Sequence, residues 1–224
     1  MVNAQYNVAK PDSLPVKVAA HQRRKMYALF MERMLPHNND TILDVGVTSD
    51  RSYDHSNYLE AWYPNKRCLT ALGIDDAIFL EDLYPGLKFI QGDGRDLPFD
   101  AGAFDFVHSS AVLEHVGSAD NQARFLHELW RVCRKGMFVT TPNRWFPVEF
   151  HTVLPLLHWL PMPMFRTILE KTGKEFFAQE ANLNLMSRNT LTQAAKAAGI
   201  ADPVITSVPL FGWPTNLILF ATKS

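Results

Sequence analysis

Short apolar runs that end in small or acidic residues alternate along this chain with stretches whose apolar positions recur at helical spacing. Ile42, Leu43 and Val45 form the first run, with Asp44 set inside it, and further runs follow at 68–74, 87–90, 104–108 and 137–141. Between them, Val18, Met26, Leu29, Phe30 and Met34 repeat near a period of 3.6 until Pro36 closes the segment, and 56–63 and 77–84 read as two short helices. In 122–132, Phe125, Leu126, Leu129, Trp130 and Val132 make an apolar side opposite Arg124, His127, Glu128 and Arg131, with Lys135-Gly136 as the expected stop. Ser187 is placed to cap a helix over 189–198 that ends at Gly199. Val204 to Val208 and Asn216 to Thr222, joined through PLFGWP, predict an antiparallel closing pair. Five β-like runs alternating with helices predict an α/β, doubly wound, mostly parallel sheet, which the closing pair extends to seven strands.

A chain of 224 residues fits one domain with a sizeable core. Within it, 1–40 reads as an N-terminal arm and helix, and 143–186 as an insertion after the fifth strand. A net charge of −1, with basic residues clustered only at Arg23-Arg24-Lys25, excludes a general electrostatic case for nucleic-acid binding. Cys68 and Cys133 lie in apolar surroundings without a second thiol at metal-site spacing, so free buried thiols are expected. Residues 1–10 are polar and lack the apolar core of a signal peptide, which makes a cytoplasmic protein the expectation.

The candidate chemistry lies where the runs end. Asp44 needs hydrogen-bond partners inside an apolar run, and Gly46 permits a sharp turn with Thr48 and Ser49 as donors beyond it. Asp75 and Asp76 follow the second run, where an acid accepts both hydroxyls of a ribose. Asp75 is the first choice, because Asp76 is equally placed to cap a helical turn. Gly92 and Gly94 flank Asp93, so the backbone there can approach a flat ring while the acid accepts an exocyclic amine. Ser109 and Ser110 follow the fourth run, and Glu114 and His115 come next, His115 either lining the substrate side or bonding behind it. The fingerprint GxGxxG of nicotinamide-dependent oxidoreductases is missing. None of the eight histidines stands in a metal-ligand motif, so no metal is expected.

DVG at Asp44 to Gly46, GID at Gly73 to Asp75, GDGRDLPF at Gly92 to Phe99, FDFVHSSAVLEHV at Phe104 to Val116, and the 126–135 helix before TPN come in an order that resembles the class I S-adenosylmethionine-dependent methyltransferases, of the small-molecule, methyltransferase type 11-like kind. The resemblance runs from about Thr41 to Thr141 and resumes near Ser187. It implies S-adenosylmethionine as cofactor, with Asp44 and Gly46 lining the cofactor loop, to which Thr48 adds a donor of this chain's own. It also implies ribose contact for Asp75, adenine-side contact for Asp93 with Gly94, and proximity of Ser109 and Ser110 to the methionine part. The chain departs from the family after DVG: Val47, Thr48, Ser49 and Asp50 stand where further glycine is usual, and bulkier residues there narrow the approach.

The 143–179 stretch is apolar and aromatic but broken by Pro147, Pro155, Pro161 and Pro163, which excludes a membrane-spanning helix. A lid over the acceptor is the leading reading, and contact with a membrane surface, through Arg166 and Lys171 beside the apolar run, the alternative. In the resembled family this segment supplies acceptor-side residues, which nominates Asn143, Glu149 and His151. His151 is the candidate base for a hydroxyl acceptor, with its structuring of the lid as the bland alternative. The function expected is methyl transfer to a small or amphipathic metabolite through an O- or N-acceptor, such as a sugar, a secondary metabolite or a lipid-linked precursor. A non-catalytic binding or scaffold protein is the alternative, motivated by the VTSD loop, with an oxidoreductase behind it.

Overall fold

The computed structural model of the protein describes residues 13–51 and 55–223, so most of the expected N-terminal arm lies outside the described residues. Seven strands form one sheet in the order β3-β2-β1-β4-β5-β7-β6. They are β1 (Ile42–Val45), β2 (Leu69–Gly73), β3 (Lys88–Gln91), β4 (Phe104–Ser110), β5 (Cys133–Pro142), β6 (Val204–Leu210) and β7 (Trp213–Thr222). The first five pair in parallel, while β7 runs antiparallel between β5 and β6. Seven strands and an antiparallel closing pair are as the apolar runs predict. The hairpin turn is Phe211-Gly212, with φ of 49° and 81°, the doubly positive geometry that matches strand twist.

Helices cover both faces. α1 (Leu14–Met34), α2 (Tyr58–Trp62) and α3 (Phe79–Leu83) pack on one side through Phe30, Leu59 and Leu80 against Ile42, Phe106 and Phe138. α4 (Ala119–Val132) and α7 (Arg188–Ala197) pack on the other. Phe125, Leu126, Leu129 and Val132 of α4 are all buried, each such side chain being worth roughly 1.5–3 kcal/mol. Ser118 caps α4 by accepting from the Asn121 N–H, and Ser187 caps α7 in a reciprocal box with Thr190.

Two boundaries differ from the sequence expectation. α4 stops at Val132, and Gly136 belongs to β5 instead of ending the helix. A Cβ there would meet the Ala221 carbonyl oxygen at 2.8 Å, so glycine lets β7 approach. β4 continues through Ser110, which puts Ser109 and Ser110 on opposite faces. The 143–186 segment folds into α5 (Met162–Lys171), α6 (Glu175–Ala178) and irregular chain, with a small core of Phe165, Leu169, Phe177, Leu183 and Leu185. Part of its apolar character is thus used within the segment itself, while Trp145, Val153, Leu156 and Met164 remain exposed. No helix among the described residues is long and apolar enough to cross a membrane.

Asp105 joins the lower ends of three central strands. Its Oδ2 accepts from the N–H and hydroxyl of Thr41 at 3.0 and 3.2 Å, and its Oδ1 accepts from Arg134 Nη2 at 2.6 Å and lies 3.2 Å from Lys135 Nζ. Burial alone would raise this carboxyl, but the Arg134, Thr41 and Lys135 hydrogen bonds outweigh it and hold the pKa at about 2. A depressed folded pKa contributes stability above the unfolded value near 4 that is lost as pH falls toward 2. Thermal unfolding of Asp105→Asn should show a loss of about 1–2 kcal/mol at pH 7. That deficit should shrink between pH 4 and pH 2; a deficit constant with pH would contradict the assignment.

Candidate active site

Beyond the carboxyl ends of β1, β2, β3 and β4 lies a cleft of about 480 Å³, closed on one side by the 143–186 segment. It sits where strand order reverses between β1 and β4, the place at which open α/β sheets bind ligands. Gly46 begins it. Its φ is +103°, its N–H donates to the Leu72 carbonyl at 2.7 Å, and a Cβ would lie 2.1 Å from Val112 Cγ2. Any side chain at 46 would displace the chain that leaves β4.

The VTSD loop is organised by side chains where glycine is usual. Asn57 accepts from the Thr48 N–H at 2.9 Å and donates to the Thr48 carbonyl at 3.0 Å, while Thr48 Oγ1 accepts from the Asp50 N–H. Val47 N–H joins Gly46 in bonding to Leu72. These amides are spent within the protein, so the polar surface of this wall comes from side chains, among them Arg23, which reaches the cleft from α1.

Asp44 is turned away from the cleft. Its Oδ1 lies 2.8 Å from His108 Nδ1, and His108 Nε2 lies 2.9 Å from the Tyr58 hydroxyl. Burial lowers His108 to about 4, so the neutral ring donates to Asp44 and accepts from Tyr58. Burial pushes Asp44 up to about 7; burial and the adjacent Asp44 push Glu60, which is fully buried, well above the carboxylate range. This cluster fastens α2 beneath the Gly46 turn.

Of the other nominated residues, Gly46, Thr48, Asp93, Gly94, Ser110, His115 and His151 line the cleft. Asp93 is gripped by Arg95, whose Nε and Nη2 donate to its two oxygens, and Arg95 holds it below the usual range. Gly94 is required by packing, since a Cβ would lie 2.4 Å from Phe125. Asp75 is half-buried just past Gly73 and Ile74, which do line the cleft; Asp76 accepts from the Ile78 N–H and braces the turn. Ser109 is fully buried and donates to the Val45 carbonyl at 2.7 Å, tying β4 to β1. Asn143 anchors its segment on the Pro214 carbonyl.

Ala111, in the left-handed region at φ 57°, swings the chain past Val112 and brings Glu114 and His115 beneath the 143–186 segment. His115 Nδ1 donates to the Asn182 carbonyl at 2.7 Å, and its Nε2 meets His151 Nε2 at 3.1 Å. His151 Nδ1 lies 2.7 Å from Glu149 Oε1. Burial would raise Glu149, but His151 and the donors around it hold the carboxyl at about 2. Burial opposes charge on His151, but Glu149 outweighs it and raises the ring above the ordinary range. Burial and the His151 charge lower His115 to about 3. His151 is thus the donor of the pair and His115 the acceptor. Sequence spacing could not show this cluster, because 36 residues separate the two rings. Arg23 and Asn182 were likewise missed as lining residues, since no local pattern marks them.

A sequence profile described as "Methyltransferase domain" matches residues 60–140. A putative L-ribulose-5-phosphate 3-epimerase SgbU of Haemophilus influenzae is 39% identical over 74 residues, which are 32% of this chain and 25% of that protein. A demethylmenaquinone methyltransferase of Staphylococcus epidermidis is 27% identical over 125 residues, 54% of this chain and 50% of that protein. The chain thus matches between a quarter and half of these relatives' lengths. The crystal structure of Burkholderia thailandensis 1,6-didemethyltoxoflavin-N1-methyltransferase, with 1,6-didemethyltoxoflavin and S-adenosylhomocysteine bound, superposes with a TM-score of 0.62 at 15% identity, covering 100% of this chain and 87% of that one. Strand order, cleft position and these likenesses together establish that the protein has the fold of the class I S-adenosylmethionine-dependent methyltransferases.

Proposed function

We propose that the protein transfers a methyl group from S-adenosylmethionine to an oxygen acceptor on a small molecule. The observation that carries this reading is the pairing, in one cleft at the sheet's switch point, of a nucleotide-sized space walled by Gly46, Gly73 and Asp93 with an imidazole pair at its far wall. The cleft volume lies within the usual range for small-molecule sites. Gly46 and Gly73, whose Cβ positions would collide with Val112 and the Val47 carbonyl, let the chain segments that form the floor close on one another. The antiparallel β7 between β5 and β6 counts against the dinucleotide-binding alternative, whose sheet runs parallel throughout. The epimerase-named match is too short to carry a reading of its own.

When bound, S-adenosylmethionine supplies an activated methyl on a sulfonium, so the protein must chiefly align the acceptor and exclude water. Asp75 would accept from the ribose hydroxyls, Arg23 would face the methionine carboxylate, and Gly94 would bring backbone against the adenine. Once His151 has given up the proton that it shares with His115, its Nε2, oriented by Glu149, is the base that takes the acceptor's proton, and His115, held by Asn182, positions it. Part of the apolar surface of the 143–186 segment packs in its own core, Trp145, Val153, Leu156 and Met164 stay exposed, and what the segment offers the cleft is His151, Ala181 and Asn182. A hydroxylated acceptor with modest apolar surface therefore fits better than a lipid-like one. Transfer of labelled methyl from S-adenosylmethionine into a panel of small hydroxyl compounds tests the reading.

Asp75→Ala should weaken S-adenosylhomocysteine binding about 10- to 100-fold, the worth of hydrogen bonds to a charged group. Its melting temperature should stay unchanged, and an unaltered dissociation constant would remove the ribose assignment. His151→Ala should lower kcat about 100-fold or more while leaving cofactor affinity intact. Equal turnover by the two proteins would leave the imidazole pair without a catalytic part.

A further inference from the structure

The imidazole pair does not stand by itself. Glu114 is fully buried beside it, with Oε2 accepting from the Thr141 hydroxyl at 2.9 Å, while Oε1 has no hydrogen-bond partner among the described residues. That oxygen lies 3.7 Å from His115 Nε2. One donor atom each from Glu114, His115 and His151 falls within 4.8 Å of the others. A buried carboxylate oxygen without a donor is costly, and a cation is the partner its surroundings lack.

We propose that Glu114, His115 and His151 form a binding site for a divalent transition-metal ion of the zinc or iron class. Two imidazole nitrogens bound to one such ion at about 2.0–2.1 Å stand about 2.8–3.4 Å apart across octahedral and tetrahedral geometry. The two Nε2 atoms are already 3.1 Å apart. The remote nitrogens are fixed in the manner of metal-bound histidines, one on a backbone carbonyl and the other on a carboxylate. Glu149 is itself held by the N–H groups of His151 and Thr152 at 2.9 and 2.6 Å. Thus each ring is locked with Nε2 presented to the other, and the ion takes the place of the proton they share.

The donor set selects the metal. Two nitrogens and one oxygen suit zinc, iron or cobalt, whereas magnesium and calcium prefer oxygen throughout. Three protein ligands leave positions open, and His115 and His151 both face the cleft, so those positions point to bound molecules. Here the inference deepens the methyl-transfer reading and, for this step only, rests on it. An acceptor whose hydroxyl or adjacent carbonyl oxygens coordinate the ion is favoured. The coordinated O–H would ionise near neutral pH, its proton passing to water and its electron pair staying on the oxygen; that oxygen would bond to the methyl carbon as the carbon's bond to sulfur breaks, the pair of that bond leaving on S-adenosylhomocysteine. The ion then takes over the ionising role that His151 fills in the metal-free protein.

The test uses untagged full-length protein, freed of metal by chelation and dialysis and titrated with Co²⁺, Zn²⁺ and Mg²⁺. We expect one Co²⁺ per chain with visible ligand-field absorption, displacement by Zn²⁺, and no competition from equimolar Mg²⁺. Glu114→Gln and His151→Asn should each weaken Co²⁺ binding about 10-fold or more, while His127→Asn, remote from the cleft, should match the wild type. S-adenosylhomocysteine titration of the same samples reports whether each variant retains its folded cleft. Cofactor binding without stoichiometric Co²⁺ binding, or Co²⁺ binding indifferent to Glu114→Gln and His151→Asn, would overturn the metal site and leave the methyl-transfer reading standing. Co²⁺ binding as expected without cofactor binding would support the site and overturn the reading above it.

Discussion

The contact on which this site depends is the passage of Val112 directly over Gly46. With no side chain at 46, the chain leaving β1 turns back toward β2, where the Gly46 and Val47 N–H groups share the Leu72 carbonyl. The chain leaving β4 can then cross above it. That crossing requires Ala111 to take a left-handed conformation, at about 1–2 kcal/mol for a residue with a Cβ. One close approach thus opens the cleft between β1 and β4 and delivers Glu114 and His115 to its far wall. Beneath it, the Asp44–His108–Tyr58 chain fixes α2, and Asn57 beside α2 braces the loop that replaces the usual glycines.

Much of the fold was legible because buried parallel strands write themselves as short apolar runs, and α4 as a stripe at 125, 126, 129 and 132. What was not legible depended on which way a side chain points. Ser109 reads like Ser110 in the sequence, but one more residue of β4 turns it inward onto Val45. Asp44 reads as a ligand-facing acid, and only the register of β1 against β4 reveals that His108 is its partner. Gly136 reads as a helix stop, whereas its need is the closeness of β7. The apolar 143–186 segment suggests a greasy lid, but much of that character goes into a small core of its own around Phe165 and Leu169. The histidine spacing suggests no ligand set, because Glu114 and His115 meet His151 only through the fold.

The site divides into a rigid part and a polar part. Glycines at 46, 73 and 94 have no room for side chains, so the walls that would meet a flat ligand are set by the packing of Val112, Val47 and Phe125. The polar end is built differently, from long-range contacts between the chain after β4 and the insertion after β5. Glu149 orders His151, Asn182 orders His115, and Thr141 holds Glu114 behind them, so both imidazoles that face the cleft are held in place by a neighbour's oxygen. Such an arrangement fits the proposed methyl transfer, in which the transferred group would arrive already activated and the protein's task would be to place and ionise its acceptor.

The most direct test of this account is calorimetric titration of the purified protein with S-adenosylmethionine and S-adenosylhomocysteine, with NAD as the control nucleotide. Micromolar binding of both sulfur nucleotides at one site per chain, with no heat from NAD, is the result the account predicts. Absence of binding by either sulfur nucleotide would contradict it, and would mean that the side-chain-braced loop from Val47 to Asp50 closes the cleft to the cofactor.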